Sequence, residues 1–364
     1  MHLDDFAAFV AEICAHSAAA PERPLRWTII ANPRAGGFTI ASRWKAHRAV
    51  LERAALRARE RNARRDGAGP SRTAGTGLAA TEGPGHARRI TEALVEEAAA
   101  EARNGNGAVF YLIICAGGDG TSLEVLSALY AAREETREQF AVLRLPMGTG
   151  NDGADAWDLE RALELLIIPT RIEKSAALRL VTATPGKGPF LAFNILSAGL
   201  DAFVTHVTNK MKGRLPGDSY KLWVDIAALL YDRIYRVGPL SIAAFDAAGN
   251  RIENRRETTL LLAVGVSGHR TYGARKRILP DDRNVCLVRQ MSLFRKIALK
   301  DMFTTGAHIH EKESLLFSAD RVEFSGEFPI LAQMDGETVL LEKRDFPAAI
   351  ERTAPVIPLL KPLD

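Results

Sequence analysis

Apolar residues recur along this chain in two textures, and the change between them comes near residue 170. Before it, short apolar runs alternate with stretches of helical spacing. Leu3, Phe6, Phe9, Val10 and Ile13 stand three or four apart and stop before Pro21, which predicts an amphipathic helix over residues 1–20. WTIIANPRAGG (27–37) reads as a buried strand leaving through Asn-Pro into a glycine turn, with a helix over 40–60 behind it. A helix (87–103), a strand (109–115), a helix (121–133), a strand (140–145) and a helix (158–167) follow. Such alternation predicts a parallel sheet covered on both faces.

After residue 170 the runs ALRLVTAT, FLAFNILSAG, LSIAAF, TLLLAVG, VCLVRQ, VEFSGEF and TVLLE are joined mostly by turns, which predicts antiparallel β structure. Two helices interrupt it, over 200–212 and 219–235. The fold class expected from this pattern is an α/β N-terminal domain with a parallel sheet, plus a C-terminal antiparallel β domain. Its divisions are an appended helix (1–20), the α/β domain (21–168), the antiparallel domain (169–343) and a final segment (344–364) returning to the first domain. Residues 61–86, rich in Arg, Gly, Ala and Thr, read as a mobile basic surface loop, centred on 61–80, with at most one short strand near Leu78.

Composition adds bounds. The 364 residues are 47% hydrophobic and 25% charged, enough for two self-sufficient cores. Forty-eight Lys plus Arg against forty-four Asp plus Glu leave a formal charge of +4 with no long like-charge run, which argues against nucleic-acid wrapping. Cys14, Cys115 and Cys286 are odd in number and far apart, fitting a reducing cytoplasm. Asp4 and Asp5 stand where a secretory signal needs positive charge, and no apolar run approaches the roughly 18 residues of a membrane span.

The chemistry concentrates in loops. YLIICAGGDGTSLEVLSALY carries an apolar strand through Gly117-Gly118-Asp119-Gly120 into a helix beginning at Thr121. Unpaired amides at a helix start, approached closely over glycine, make an anion cradle, and Asp119 would place a carboxylate beside a bound phosphate to orient Mg²⁺. A plain turn with Thr121 and Glu124 as a capping box is the competing reading, and it leaves three glycines around an aspartate unexplained. LRLPMGTGND, with Gly148, Thr149, Gly150, Asn151 and Asp152, ends the next strand, and Asn32-Pro33-Arg34-Ala35-Gly36-Gly37 ends the first. Parallel strands set such loops side by side. There is no G-x-x-x-x-G-K-[ST] loop and no G-x-G-x-x-G opening the first unit, which disfavours P-loop ATPases and ordinary dinucleotide dehydrogenases. His308 and His310 lack a third ligand at metal spacing. Leu222, Trp223, Ile226, Leu229 and Leu230 form an apolar helical face beside Lys210, Lys212, Arg214 and Lys221, read first as core and second as a membrane-facing surface.

ANPRAGG, TEGPGHA (81–87), GGDGTSLEVLSAL, LPMGTGND, FNILSAGLDA (193–202) and MDGE (334–337) together resemble the diacylglycerol kinase catalytic family, shared with sphingosine and ceramide kinases and more remotely NAD kinases. The resemblance implies an ATP- and Mg²⁺-dependent lipid kinase whose α/β N-terminal domain with a parallel sheet is a nucleotide-binding domain and whose C-terminal antiparallel domain is a β-sandwich substrate domain, with the active site between them. By position it implies nucleotide contacts from Asn32, Pro33, Gly36, Gly117, Gly118, Gly120, Thr121, Glu124, Gly148, Thr149, Gly150 and Asn151, and metal contacts from Asp119 and Asp152. Asp119 also counts with Asp335 and Glu337 as catalytic, Asp335 as the family's proposed general base; Asp335-Gly336 between two strand-like runs reads equally as a hairpin turn. Two departures stand out. Gly153-Ala154-Asp155-Ala156-Trp157 replaces the aromatic, Ala and Arg that usually follow GTGND, and Arg283-Asn284 stands where an Asp-Gly pair would follow Asp281 and Asp282, leaving a structural Mg²⁺ there open. The expected partners are a lipid alcohol at a membrane surface, reached by peripheral contact, and a second copy in a homodimer, with no nucleic acid. Phosphorylation of a soluble nucleotide such as NAD, and a nucleotide- or lipid-binding regulator without turnover, are the alternatives.

Overall fold

The computed structural model describes residues 2–19, 25–64, 73–105, 109–148, 151–211, 231–235, 237–273 and 276–363. Two compact units emerge: Met1–Ser175 with Pro355–Asp364, and Ala176–Ala354.

The first unit is built on a six-stranded sheet. Its strands are β1 (Leu25–Ala31), β2 (Thr73–Ala80), β3 (Phe110–Gly117), β4 (Phe140–Pro146), β5 (Thr170–Ser175) and, from the far end of the chain, β19 (Ile357–Pro362). The order is β2-β1-β3-β4-β19-β5, all neighbours parallel except β19 with β5. Every residue of β3 and β4 is buried, as strands covered on both faces require, which is why they read as unbroken apolar runs. On one face Trp27, Ile29, Leu112, Ile114 and Leu143 pack with residues of α1 (His2–Ala15), α3 (Ala41–Ala63) and α7 (Leu159–Ile167), among them Phe6, Val10, Ile13, Leu51 and Leu163. The short α2 (Gly36–Thr39) precedes α3, while α4 (His86–Arg103), α5 (Asp119–Ala131) and the short α6 (Glu134–Arg137) pack together. Strand β2 corrects the sequence expectation of a loop with one short strand near Leu78: Thr73–Ala80 is an eight-residue edge strand paired along β1, and α3 runs on to Ala63. Thr, Ala and Gly suffice there because an edge strand needs its ladder more than a packed face, and Gly77 and Leu78 stand exposed. Residues 65–72 lie outside the described residues.

The second unit is antiparallel. Its hinge is β10 (Arg251–Gly265), whose first half pairs with β9 (Pro239–Phe245) and whose second half pairs with β8 (Ile195–Gly199) and β13 (Val285–Arg289). Exposure alternates along its first half and vanishes along its second, so one strand passes from a half-solvated sheet into a covered one. The first sheet continues through β15 (Arg321–Gly326), β18 (Ala348–Arg352), β6 (Leu178–Val181) and β7 (Phe190–Ala192); the second through β16 (Ile330–Met334) and β17 (Glu337–Leu341) on one side and β14 (Ser314–Phe317) on the other. Leu180, Ile242, Val322, Phe324 and Ile350 of the first sheet share a core with Leu196, Leu262, Leu287 and Met334 of the second. The second sheet's outer face carries Ile195, Leu261, Ala263, Cys286 and Val288 against Ala202 and Phe203 of α8 (Leu200–Met211) and Tyr231. Of the helix expected over 219–235, only 231–235 belong to the described residues, where Tyr231–Ile234 is helical; Lys212, Arg214, Lys221 and the apolar face from Leu222 to Leu230 lie outside them.

Candidate functional site

The loops leaving β1, β3 and β4 are locked together by backbone bonds. Asn32 N–H donates to Ala116 O (2.9 Å), Met147 N–H to Gly117 O (3.2 Å), and Gly37 N–H to Met147 O (2.8 Å). Asn32 Nδ2 lies 3.5 Å from Thr121 Oγ1, joining the first loop to the start of α5. Glycine is required here by contact between the loops themselves. A Cβ on Gly148 would stand 2.4 Å from Gly118 Cα, one on Gly117 2.5 Å from Thr121 Oγ1, and one on Gly37 2.8 Å from Met147 O. The glycine runs therefore serve the junction of three loops as well as close approach by a ligand.

Asp119 ties the junction. Its Oδ2 accepts Asn151 N–H (3.0 Å) and its Oδ1 accepts Gly153 N–H (2.9 Å), while Asn151, at φ 73°, turns its side chain back to take Gly148 N–H at 2.7 Å. No side chain caps α5, whose N-cap is Gly118, so its first amides lack intrahelical acceptors and the positive end of its dipole meets the junction. The capping box considered between Thr121 and Glu124 is absent. Glu124 instead accepts Gly85 N–H (2.6 Å) and Ala87 N–H (3.0 Å), filling the start of α4. Pro33 and Gly36 sit in the β1 loop beside Asn32, and Gly120 is the second residue of α5; Thr149 and Gly150 lie outside the described residues.

Asp119 and Asp152 are the carboxylates these loops carry. Each Asp119 oxygen accepts one amide and keeps a second lone pair. Mg²⁺ ordinarily binds through one or two carboxylates, with phosphate oxygens and waters completing its octahedron, and the lone pairs that Asp119 keeps fit that mode. Among the described residues no three or more ligating side chains gather. His308 is buried, stacked on Phe303 at 4.2 Å with Nε2 at 3.1 Å from Ile278 O, and burial lowers its pKa. Asp281 is engaged by Arg283 (Nε 3.0 Å), whose bond holds that carboxyl below its ordinary range. All three cysteines are free and buried, and burial pushes Cys115 and Cys286 up to about 12, which leaves them inert as nucleophiles.

In the segment departing from the GTGND continuation, Asp155 has a fully buried side chain whose Oδ2 accepts Arg144 N–H at 2.8 Å and whose Oδ1 accepts Arg144 Nη2 at 2.8 Å. This internal pair pins the segment to β4.

Asp335 and Glu337 belong to the second unit. Asp335 (φ 45°) and Gly336 (φ 99°) form the two-residue turn between β16 and β17, where Met334 pairs with Glu337. The Asp335 carboxylate is buried and accepts the amides of Phe193, Asn194 (3.1 Å) and Ile195 (3.0 Å), which explains why FLAFNILSAG breaks into β7 and β8. Glu337 is exposed at the head of β17. Sequence reasoning assigned no role to Asp201 of SAGLDA, nor to Ser197 and Gln333, which the fold gathers beside this turn. Ser197 Oγ donates to Asp201 Oδ2 (2.7 Å), and Gln333 Nε2 reaches Ser197 Oγ (3.0 Å) and Asp201 Oδ2 (3.4 Å). Burial pushes the Asp201 carboxyl up to about 6, against Ser197, the charge of Lys276 and Gln333, which pull it down. The signal for Asp201 lay in its motif; nothing in sequence marked Gln333.

Residues 26–182 match the family model of the diacylglycerol kinase catalytic domain, from β1 through β6. The "Probable lipid kinase YegS-like" of Cronobacter sakazakii (strain ATCC BAA-894) is 27% identical over 266 residues, 68% of this chain and 80% of that protein. Its namesake from Xanthomonas euvesicatoria pv. vesicatoria (strain 85-10) is 29% identical over 174 residues, 47% of this chain and 52% of that one. Among solved structures, a diacylglycerol kinase from Bacillus anthracis str. Sterne superposes with a TM-score of 0.53 at 14% identity, covering 93% of this chain and 97% of that chain, a likeness of fold. The match is thus at family level, to lipid-kinase-like catalytic chains. Among the described residues no helix is long and apolar enough to cross a membrane.

Proposed function

We propose that the protein is an ATP-dependent lipid kinase that transfers the γ-phosphoryl group to the hydroxyl of a lipid alcohol presented by a membrane surface. The observation that carries the reading is the junction of the β1, β3 and β4 loops, where a Cβ on Gly148 would stand 2.4 Å from Gly118 Cα, so the β4 loop has no room for a side chain at that point, and the uncapped start of α5 points at the same place. Backbone amides held this way stabilise phosphate charge without reorganising during transfer. Asp119 holds the β4 loop in register through the amides of Asn151 and Gly153, and Glu124 fixes α4 against α5. Mg²⁺, held by Asp119 or Asp152 with the nucleotide's own oxygens, would supply charge neutralisation at the phosphates when bound. A lipid acceptor, rather than a soluble one, is supported by the family-level match to lipid kinases.

The test is transfer of label from γ-radiolabelled ATP to a panel of lipid alcohols in mixed micelles, with NAD as the soluble control. Labelled phospholipid with unlabelled NAD is expected. Labelling of NAD alone would move the protein to the soluble-nucleotide branch, and no labelling of any acceptor would leave a binding protein.

A further inference from the structure

The second unit carries a helix, Leu293–Thr305, whose first turns run against the usual pattern of apolar residues inside and charged residues outside. Lys296 is buried and meets Asp232 at 2.9 Å, Leu299 is buried near it, and Phe303 packs against the apolar cluster that holds Tyr231, Cys286 and Val288. The outward residues are apolar instead: Leu293, Phe294 and Ile297 are 39%, 84% and 49% exposed. Among the described residues Phe294 is the most exposed large apolar side chain, and of the five exposed in the second unit these three fall on one helix face. Exposed apolar residues scattered singly need no explanation, but a cluster led by a projecting aromatic ring marks a contact surface.

The projection is held in place. Ser292 Oγ accepts Arg295 N–H (3.4 Å) as the helix N-cap, and the Arg295 guanidinium is gripped by Glu311 and by Glu313 (Nε 3.0 Å, Nη2 2.9 Å). Beside the helix start Arg289, Arg295, Lys312 and Glu313 line a depression of about 800 Å³. Its carboxylates are committed, Glu311 and Glu313 to Arg295, and Glu257 to Arg289 (3.2 Å). Over residues 289–313 the exposed charged side chains are Lys300, Lys312 and Asp301, so the rim of the apolar face has a cationic excess.

We propose that this helix start is the surface by which the second unit docks on a bilayer containing anionic phospholipid. Leu293, Phe294 and Ile297 enter the boundary between headgroups and acyl chains, and Arg289, Lys300 and Lys312 meet lipid phosphates. The choice of a bilayer rests on the lipid-kinase reading above, since a long-chain acceptor stays in its membrane and its kinase works at the interface. A second copy of the chain is the other occupant such a face could take. Three side chains expose at most a few hundred Å², well short of the about 800 Å² that each partner gives to a stable protein interface, and in a two-fold pair the same cations would face one another. A wedge entering the acyl layer needs no matching surface.

The experiment uses the full chain without nucleotide, in co-sedimentation with vesicles of phosphatidylcholine alone or mixed with phosphatidylglycerol, and light scattering follows the oligomeric state. Wild type is expected to sediment with the mixed vesicles. Phe294→Ser should bind them about tenfold more weakly with an unchanged melting midpoint, because so exposed a ring carries little packing, and Ile297→Ser serves if that variant does not fold. Lys300→Glu combined with Lys312→Glu should lose about tenfold on mixed vesicles, an effect that high salt reproduces in wild type. Absence of wild-type binding, binding that Phe294→Ser leaves unchanged, or a dimer that Phe294→Ser dissociates would overturn the docking surface. Label transfer from γ-radiolabelled ATP, run on the same proteins, separates this failure from that of the kinase reading. Transfer to a lipid alcohol without vesicle binding would remove the docking surface alone, and Phe294-dependent vesicle binding without transfer to any acceptor would remove the kinase alone.

Discussion

The two units organise their polar groups in opposite ways. In the first, parallel strands release their loops at one edge of the sheet, and each loop is a continuous stretch of sequence; Asp119 reaches Asn151 across 32 positions and completes the junction. In the second, antiparallel strands bring together residues from distant stretches: Asp335 serves Phe193 across 142 positions, and Gln333 serves Asp201 across 132. The lesson is that a carboxylate accepting amides can do two kinds of work. Asp119 organises a loop that has glycine on both sides and can still open toward a ligand, whereas Asp335 is enclosed and stabilises strand geometry.

Substitutions should separate those two kinds of work. Asp335→Ala leaves three amides without their acceptor at about 1–3 kcal/mol each, and asks alanine to hold a positive φ, so unfolding of the second unit well below the wild-type midpoint is expected in calorimetry. A fully stable variant would show that the amide bonds are dispensable. Asp119→Ala, by contrast, should fold and lose phosphoryl transfer, at least about tenfold per 1.4 kcal/mol of lost phosphate and loop ordering. Arg144→Met should cost about 1–3 kcal/mol by removing the guanidinium bonds from the buried Asp155 carboxylate, which keeps the residue-144 amide and Lys361 (3.8 Å), read as a lower denaturant midpoint at unchanged m.

The effect of Asp201 on stability runs the other way. Its folded pKa of about 6 lies above the ordinary 3.8, so the folded state binds the proton more tightly and stability falls as pH rises between about 4 and 6. Asp201→Asn should therefore be more stable than wild type at pH 7, by up to about 3 kcal/mol, and no more stable at pH 3.5. Equal or lower stability at pH 7 would mean that Asp201 is a structural acceptor. The smallest effect is expected at Glu124→Ala, about 1 kcal/mol from the uncapped start of α4.

How much of this was legible in sequence follows from the same contrast. The strands β1, β3 and β4 announce themselves because burial on both faces demands unbroken apolar runs, and their loops because glycine and Asn-Pro punctuate them. Strand β2 stayed hidden because an edge strand of Thr, Ala and Gly carries no apolar signature, and the destination of Glu124 because a capping box looks identical in sequence whether its glutamate turns back to its own helix or across to another. Asp155 reads as a departure from pattern until Arg144 on the adjacent strand is seen holding it. Of the Asp201 cluster only Asp201 itself carried a signal, in the SAGLDA motif; its grouping with Ser197 and Gln333 could not be read. Its members come from a strand, a helix and a second strand, and only antiparallel pairing of β8 with β16 sets Ser197 opposite Gln333.

The central claim is that the loop junction of the first unit is a nucleotide site shaped by glycine contact. Titration calorimetry of ATP with Mg²⁺ into wild type and Gly148→Ala tests it most directly, because the added Cβ must displace Gly118 Cα, now 2.4 Å from where it would stand. Saturable binding by wild type, weakened about 100-fold or more in a variant that stays folded, equivalent to about 2.7 kcal/mol, is the predicted result. Equal affinity in the two proteins, or no binding by wild type, would contradict it.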